Sequence, residues 1–185
     1  MDPSFILVAI IGFVAQLIDG SLGMAYGVSA NSFLLTLGYS PALASASVHA
    51  SEVVTSLISG LSHWKFGNVN KKMLLSLLIP GVIGGALGAY VLTSLDGDVI
   101  KPYISIYLLL MGIRIIIKAF QPLPEKEKEP KSGLLIALGL VGGSCDAIGG
   151  GGWGPVVTTT LISTGHSPSK TIGSVNFAEF FVTLA

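Results

Sequence analysis

The chain contains one segment twice, and the duplication carries its acids with it. A shift of 127 residues places Asp19 on Asp146 and Glu52 on Glu179 without a gap. The same shift places Gly12, Val14, Gly23, Gly27, Leu34, Gly38, Ser40, Pro41, Ser47, Val48 and Leu57 on Gly139, Val141, Gly150, Gly154, Leu161, Gly165, Ser167, Pro168, Ser174, Val175 and Leu184. These four acids are the only ones inside the apolar segments of the chain. An ionisable group inside a bilayer is costly unless it is paired or solvated, so by default it marks a binding site or a pathway. A duplicated set of such groups points to a transporter.

The setting is a membrane. Half the residues are apolar, 11% are charged and mean hydropathy is +0.77, whereas a soluble domain carries roughly a quarter charged residues. The expected class is therefore an all-α, polytopic integral membrane protein in the cell (inner) membrane. Net charge is zero, which gives no footing for nucleic-acid binding. The single Cys145 excludes an internal disulfide and a Cys-rich metal site. His49, His63 and His166 lack metal-ligand spacing along the chain, so neither a metal nor another cofactor is expected. The start of the chain lacks the basic region of a signal peptide, so the first apolar segment is expected to remain in the mature protein.

Apolar segments run at 4–19, 22–37, 42–62, 72–94, 100–119, 133–149, 153–164 and 168–185. A span needs ~20 residues, which 42–62, 72–94 and 100–119 supply. The pairs 4–19/22–37 and 133–149/153–164 read as short tilted helices or as broken, re-entrant ones, tolerable where protein or water surrounds them. Basic residues set the orientation. Lys65, Lys71 and Lys72 flank one loop, and Arg114, Lys118, Lys126, Lys128 and Lys131 cluster around 120–132. Both loops are expected in the cytoplasm, with the N-terminus outside.

Between equivalent points of the two copies lie three full spans and one pair, and the pair counts as two crossings or none. The total is odd, so the second copy enters from the opposite side. That is an inverted-topology repeat, an architecture whose sites sit near the midplane between repeats. The expected organisation is a first repeat at 1–119, a cytoplasmic linker at 120–132 and a second repeat at 133–185. The first repeat continues through two spans that the second lacks here, so the native protein is expected to be longer by those helices, or completed by partner subunits.

Glycine recurs through 19–27 and runs four in a row within 146–154. Each glycine costs about 1 kcal/mol in a helix relative to alanine, so these stretches should break helices. A helix that restarts after such a break offers free N–H groups and a positive dipole end to an anion. Gly20, Gly23, Gly27, Gly149, Gly150, Gly151 and Gly152 are thus candidate substrate-binding positions. The alternative is close helix packing through small residues. Serine before proline at Ser40 and Ser167 reads as an N-cap, and Asp19 and Asp146 read as caps of half-helices.

On a helix, Ser45, His49, Glu52 and Ser56 share one face, matched in the copy by Ile172, Asn176, Glu179 and Thr183. His49 and Asn176 are candidates to orient an oxyanion. Glu52 and Glu179 are candidate proton carriers, since burial disfavours a charged carboxylate. Interhelical hydrogen bonding is the alternative role for the glutamates. Tyr26 and Trp153 are equivalent aromatics that either gate or pack. No lysine or arginine is expected at mid-membrane depth, which leaves N–H groups, hydroxyls, amides and a protonated His49 to hold an anion.

The repeated Asp-x-x-x-Gly stretch, the Gly-x-Ser-Pro turn (Gly38 to Pro41; Gly165 to Pro168) and the following Ser-x-x-x-x-Glu (Ser47 to Glu52; Ser174 to Glu179) resemble the TauE/SafE family of membrane permeases over essentially the whole chain. The resemblance implies a secondary transporter of sulfite, sulfoacetate or a related organosulfonate, with a small anionic substrate and the lipid bilayer as partners and room for homo-oligomerisation. The first glycine stretch departs from the pattern, with Met24 and Ala25 where the second has Gly151 and Gly152, so the halves are expected to contribute unequally. Two other readings stay open: a cation-coupled transporter or channel using the four acids, and a non-transporting assembly partner. No intramembrane enzyme constellation is visible.

Overall fold

The computed structural model describes residues 3–122, 128–129 and 131–185. Among them every regular element is helical: α1 (Pro3–Leu22), α2 (Tyr26–Thr36), α3 (Pro41–Lys65), α4 (Lys71–Ser94), α5 (Gly97–Ala119), α6 (Ser132–Gly149), a π-helical turn (Trp153–Thr158) running into α7 (Thr159–Ser163), and α8 (Pro168–Thr183). Residues 123–127 and 130 of the expected linker, Lys126 among them, lie outside the described residues.

The breaks fall where glycine permits a backbone that other residues resist. Gly23 and Gly150 adopt φ of 71° and 61°, and each N–H closes a turn on the aspartate carbonyl four residues earlier, at 2.5 Å (Asp19) and 2.6 Å (Asp146). This is the left-handed helix terminator. The second turn repeats too: Gly38 and Gly165 have φ of 92° and 101°, and Tyr39 N and His166 N both reach back to leucine carbonyls, of Leu34 and Leu161, at 3.1 Å. The copies therefore share local geometry as well as sequence.

Three helices among the described residues are long and apolar enough to cross a membrane: α4, α5 and α6. Two expectations change. The segment 133–149, read as short, becomes the 18-residue α6 and qualifies. The 42–62 segment becomes the 25-residue α3, which is long enough but does not qualify. Its composition is the reason, for Ser45, Ser47, His49, Ser51, Glu52, Thr55, Ser56 and Ser59 interrupt the apolar run. Several of these hydroxyls donate to carbonyls one turn back, Ser47 to Leu43 at 2.8 Å and Ser51 to Ser47 at 3.1 Å, which lowers the cost of holding them in lipid.

Backbone-close packing joins α4 to α6. A Cβ on Gly84 or Gly143 would overlap the Leu140 or Gly81 carbonyl oxygen, and one on Gly139 would lie 2.8 Å from the Leu77 oxygen. Small residues are what allow membrane helices this near to one another. The repeat-equivalent helices α3 and α8 meet through Gly60, whose Cβ would lie 2.9 Å from Phe177 Cα. At the end of α3, Trp64 stands edge-on to Phe177 at 5.5 Å, with Lys71 Nζ 5.8 Å from its ring centre. Ser40 caps α3 weakly through Leu43 N at 3.4 Å. Ser167, expected to do the same for α8, makes no capping bond and faces Ser169 Oγ at 3.4 Å instead.

Candidate functional site

The two aspartates stand at the breaks and fold their carboxylates forward over them. Asp19 Oδ1 accepts from Ala25 N at 2.7 Å and Tyr26 N at 3.1 Å. Asp146 Oδ1 accepts from Gly152 N at 2.7 Å and Trp153 N at 3.0 Å. The offsets, six and seven residues, are identical in the two copies. The N–H groups at Gly152 and Trp153, expected to face an anion, are thus satisfied by carboxylate. These two donors are therefore already engaged.

The glycine stretches pack on each other. A Cβ on Gly27 would lie 2.7 Å from Gly151 Cα, and one on Gly154 would lie 2.9 Å from Met24 Cα. The 127-residue shift turns the first contact into the second. Beside this crossing lies a cavity of about 170 Å³. It is bordered by all four acids of the apolar segments, Asp19, Glu52, Asp146 and Glu179, and by Gln16, Ser56, Ser59, His63 and Asn176. Among the described residues no lysine or arginine lines it.

Sequence-derived candidates divide sharply around this cavity. Gly20, Gly23, Gly27 and Gly151 border it, as do Asn176 and both glutamates. Gly149, Gly150 and Gly152 do not. They are packing positions, where a Cβ would come within 2.7 Å of Tyr107 Cδ1, 2.6 Å of Asn31 Nδ2 and 2.7 Å of Tyr107 Oη respectively. His49, expected to orient the anion, does not border the cavity either. Its Nε2 lies 3.2 Å from Asp146 Oδ2 and its Nδ1 lies 2.8 Å from the Ser45 carbonyl oxygen. Asn176 donates to Ser59 Oγ at 2.8 Å, which leaves its carbonyl oxygen and second N–H for the cavity. Trp153 is fully buried and donates to the Val175 carbonyl at 3.0 Å, a packing role, whereas its counterpart Tyr26 lines the cavity.

Two polar residues escaped the sequence reading. Gln16 borders the cavity with an unpartnered, buried Oε1. Asn31 is buried in α2, where its side-chain N–H donates to the Gly149 carbonyl and its Oδ1 has no partner. Each is a lone amide in an otherwise apolar stretch, and that isolation was the available signal. The fold also brings together three side chains that chain order keeps apart. His49, Glu52 and Asp146 each place a ligating atom within 4.8 Å of the others, and Glu52, 5% exposed, has an unpartnered Oε2. One imidazole and two carboxylates are a donor set that could hold a cation. Spacing along the chain hid it because Asp146 comes from another helix.

The family model described as Sulfite exporter TauE/SafE matches residues 8–185. The chain belongs to this family. The probable membrane transporter protein YtnM of Bacillus subtilis (strain 168) is 52% identical over 97% of this chain. The match covers 62% of that protein, so the chain spans less than two thirds of its length. No solved structure matches. The duplicated acids thus belong to a TauE/SafE chain, and in it they border one cavity.

Proposed function

We propose that this TauE/SafE protein is a secondary transporter of a small sulfur oxyanion, sulfite or an organosulfonate such as sulfoacetate, moved together with protons. The observation that carries the reading is the single cavity bordered by four carboxyl groups, two from each copy of the repeat, with no lysine or arginine among the described residues lining it. Asp19 and Asp146 disperse their charge into two N–H bonds each. Glu52 lacks that support at Oε2. An anion entering beside ionised Glu52 and Glu179 would meet repulsion across a poorly screened cavity, worth several kcal/mol even at an effective dielectric constant of about 20. Anion entry is therefore linked to neutral glutamates, and the proton becomes a co-substrate by electrostatic necessity. Asn176 and Ser59 supply neutral hydrogen-bonding groups, which suit weak and reversible binding.

In this reading 1–119 and 133–185 are inverted repeats joined by a cytoplasmic 120–132 linker, with the N-terminus outside. Alternating access proceeds by movement of one repeat against the other at the glycine crossing. A second reading, cation coupling, is favoured by His49. Its Nδ1 faces a carbonyl oxygen, which only accepts, so Nδ1 carries hydrogen. Nε2 then confronts Asp146 Oδ2 and needs either a second proton or a cation between them.

The test is sulfite flux into proteoliposomes by Glu52→Gln and Glu179→Gln. Each variant is expected to lose pH-gradient-driven accumulation by at least about tenfold, the scale of one lost charge-linked step, while remaining folded. Normal accumulation with unchanged pH dependence in both variants rejects the proton role. Flux that follows a Na⁺ gradient and is indifferent to the anion selects the cation reading.

A further inference from the structure

Outside the central cavity, the candidate that stands out is a pair of cations on α5. Arg114 and Lys118 lie one helical turn apart, and like charges at that spacing disfavour each other. Lys118 is only 8% exposed, although its neighbours Ile116, Ile117 and Phe120 are 61%, 55% and 86% exposed. Among the described residues neither cation pairs with a carboxylate. Arg114 donates to the neutral Thr160 Oγ1 at 2.5 Å, and that hydroxyl in turn bonds the Val156 carbonyl. A buried ammonium beside a guanidinium, with no carboxylate partner among the described residues, calls for an anion.

The space for one is present. A pocket of about 300 Å³ between the end of α5 and α7 is lined by Arg114, Lys118, Gln121 and Ser163, with Ile113 and Ile117 on its apolar side. Ile113 also lines a larger groove of about 710 Å³, which runs along α5 and α2 past Leu109, Gly112, Ile116 and Phe33. The cationic pocket meets, at Ile113, a groove lined mainly by apolar residues with Lys101 at its far end, and it shares no lining residue with the central cavity. Charge at one end and an apolar track at the other match a molecule with an anionic head and an acyl tail. Basic pockets between membrane helices hold such headgroups, and guanidinium binds phosphate through two parallel hydrogen bonds.

We propose that the Arg114–Lys118 pocket is a binding site for an anionic phospholipid, its phosphate on the two cations and one acyl chain in the α2–α5 groove. The site does not depend on which solute the protein moves.

Native mass spectrometry and thermal melting of the full-length protein in neutral detergent would test it. The added probes are phosphatidylglycerol, phosphatidylcholine and inorganic phosphate. Wild-type protein should retain phosphatidylglycerol and melt several degrees higher with it, and should prefer it to phosphatidylcholine by at least about tenfold, the scale of a charge-assisted contact. Arg114→Gln/Lys118→Gln should lose that preference, while Lys65→Gln/Lys72→Gln, which removes as much charge elsewhere, should keep it. Lys118→Arg should also keep it, which guards against misreading a folding defect. Equal retention of both lipids by the wild type overturns the proposal. So does undiminished selectivity in the double variant, and so does full stabilisation by inorganic phosphate alone, which would make the pocket a site for free anions.

Discussion

Asp146→Ala is expected to abolish transport and to destabilise the protein by about 3–5 kcal/mol, the range for removing one partner from a buried charged network. Asp146 is 1% exposed and one carboxylate satisfies three groups: Gly152 N, Trp153 N and His49 Nε2. Alanine leaves two backbone donors and an imidazole stranded in the protein interior. It also frees the glycine break that sets Trp153 into its buried site against Val175. Asp146→Asn is the informative partner. Its amide oxygen can still accept from Gly152 and Trp153, and its amide N–H can donate to His49, so folding should survive where the alanine variant fails. Asp19 has the same two backbone bonds but is only part-buried and lacks a histidine partner, so Asp19→Ala should cost less than Asp146→Ala. Melting of the three variants in one detergent checks the order. An Asp146→Ala protein that melts with the wild type contradicts the capping account.

Gly143→Leu should be the most damaging change away from the cavity, at about 3 kcal/mol or more, because overpacking between two backbones has no flexible side chain to absorb it. The Cβ alone would overlap the Gly81 carbonyl oxygen and approach Gly85 N at 3.0 Å. Helices α4 and α6 would have to separate along a seam that also includes Gly84, Gly88 and Gly139. The same substitution at Gly133, near the start of α6, where a Cβ meets nothing within 4 Å, should be neutral or slightly stabilising through helix propensity. Thermal melts and expression levels of the pair distinguish packing from a general intolerance of large residues. Equal stability of the two variants would mean that the α4–α6 contact is not held by close approach.

Much of this was legible in the residues. The apolar segments, the two glycine breaks and the four acids were read from the chain because each depends on local chemistry: helix propensity, positive φ, and the cost of charge in lipid. The Gly38 and Gly165 turns and the equivalence of Asp19 with Asp146 followed from the repeat. What stayed hidden was long-range. Nothing near His49 in sequence announces that its partner is Asp146, 97 residues away, so a residue expected at the anion became a partner of the cap. Gly150 was expected at the substrate and proved to make room for Asn31, a contact between elements that no periodicity encodes. The polar content of α3 was visible, but only the bundle around Glu52 explains how a helix so rich in hydroxyls is accommodated.

The measurement that bears most directly on the central claim is sulfite uptake by proteoliposomes of the full-length protein, with and without an imposed pH gradient, with sulfoacetate, sulfate and chloride as competitors. A proton-linked sulfur-oxyanion transporter should give saturable uptake that concentrates sulfite when the gradient is imposed, collapses when the gradient is dissipated and is blocked by sulfoacetate ahead of chloride. Uptake that ignores the pH gradient, or its absence from tight, correctly loaded vesicles, would contradict it.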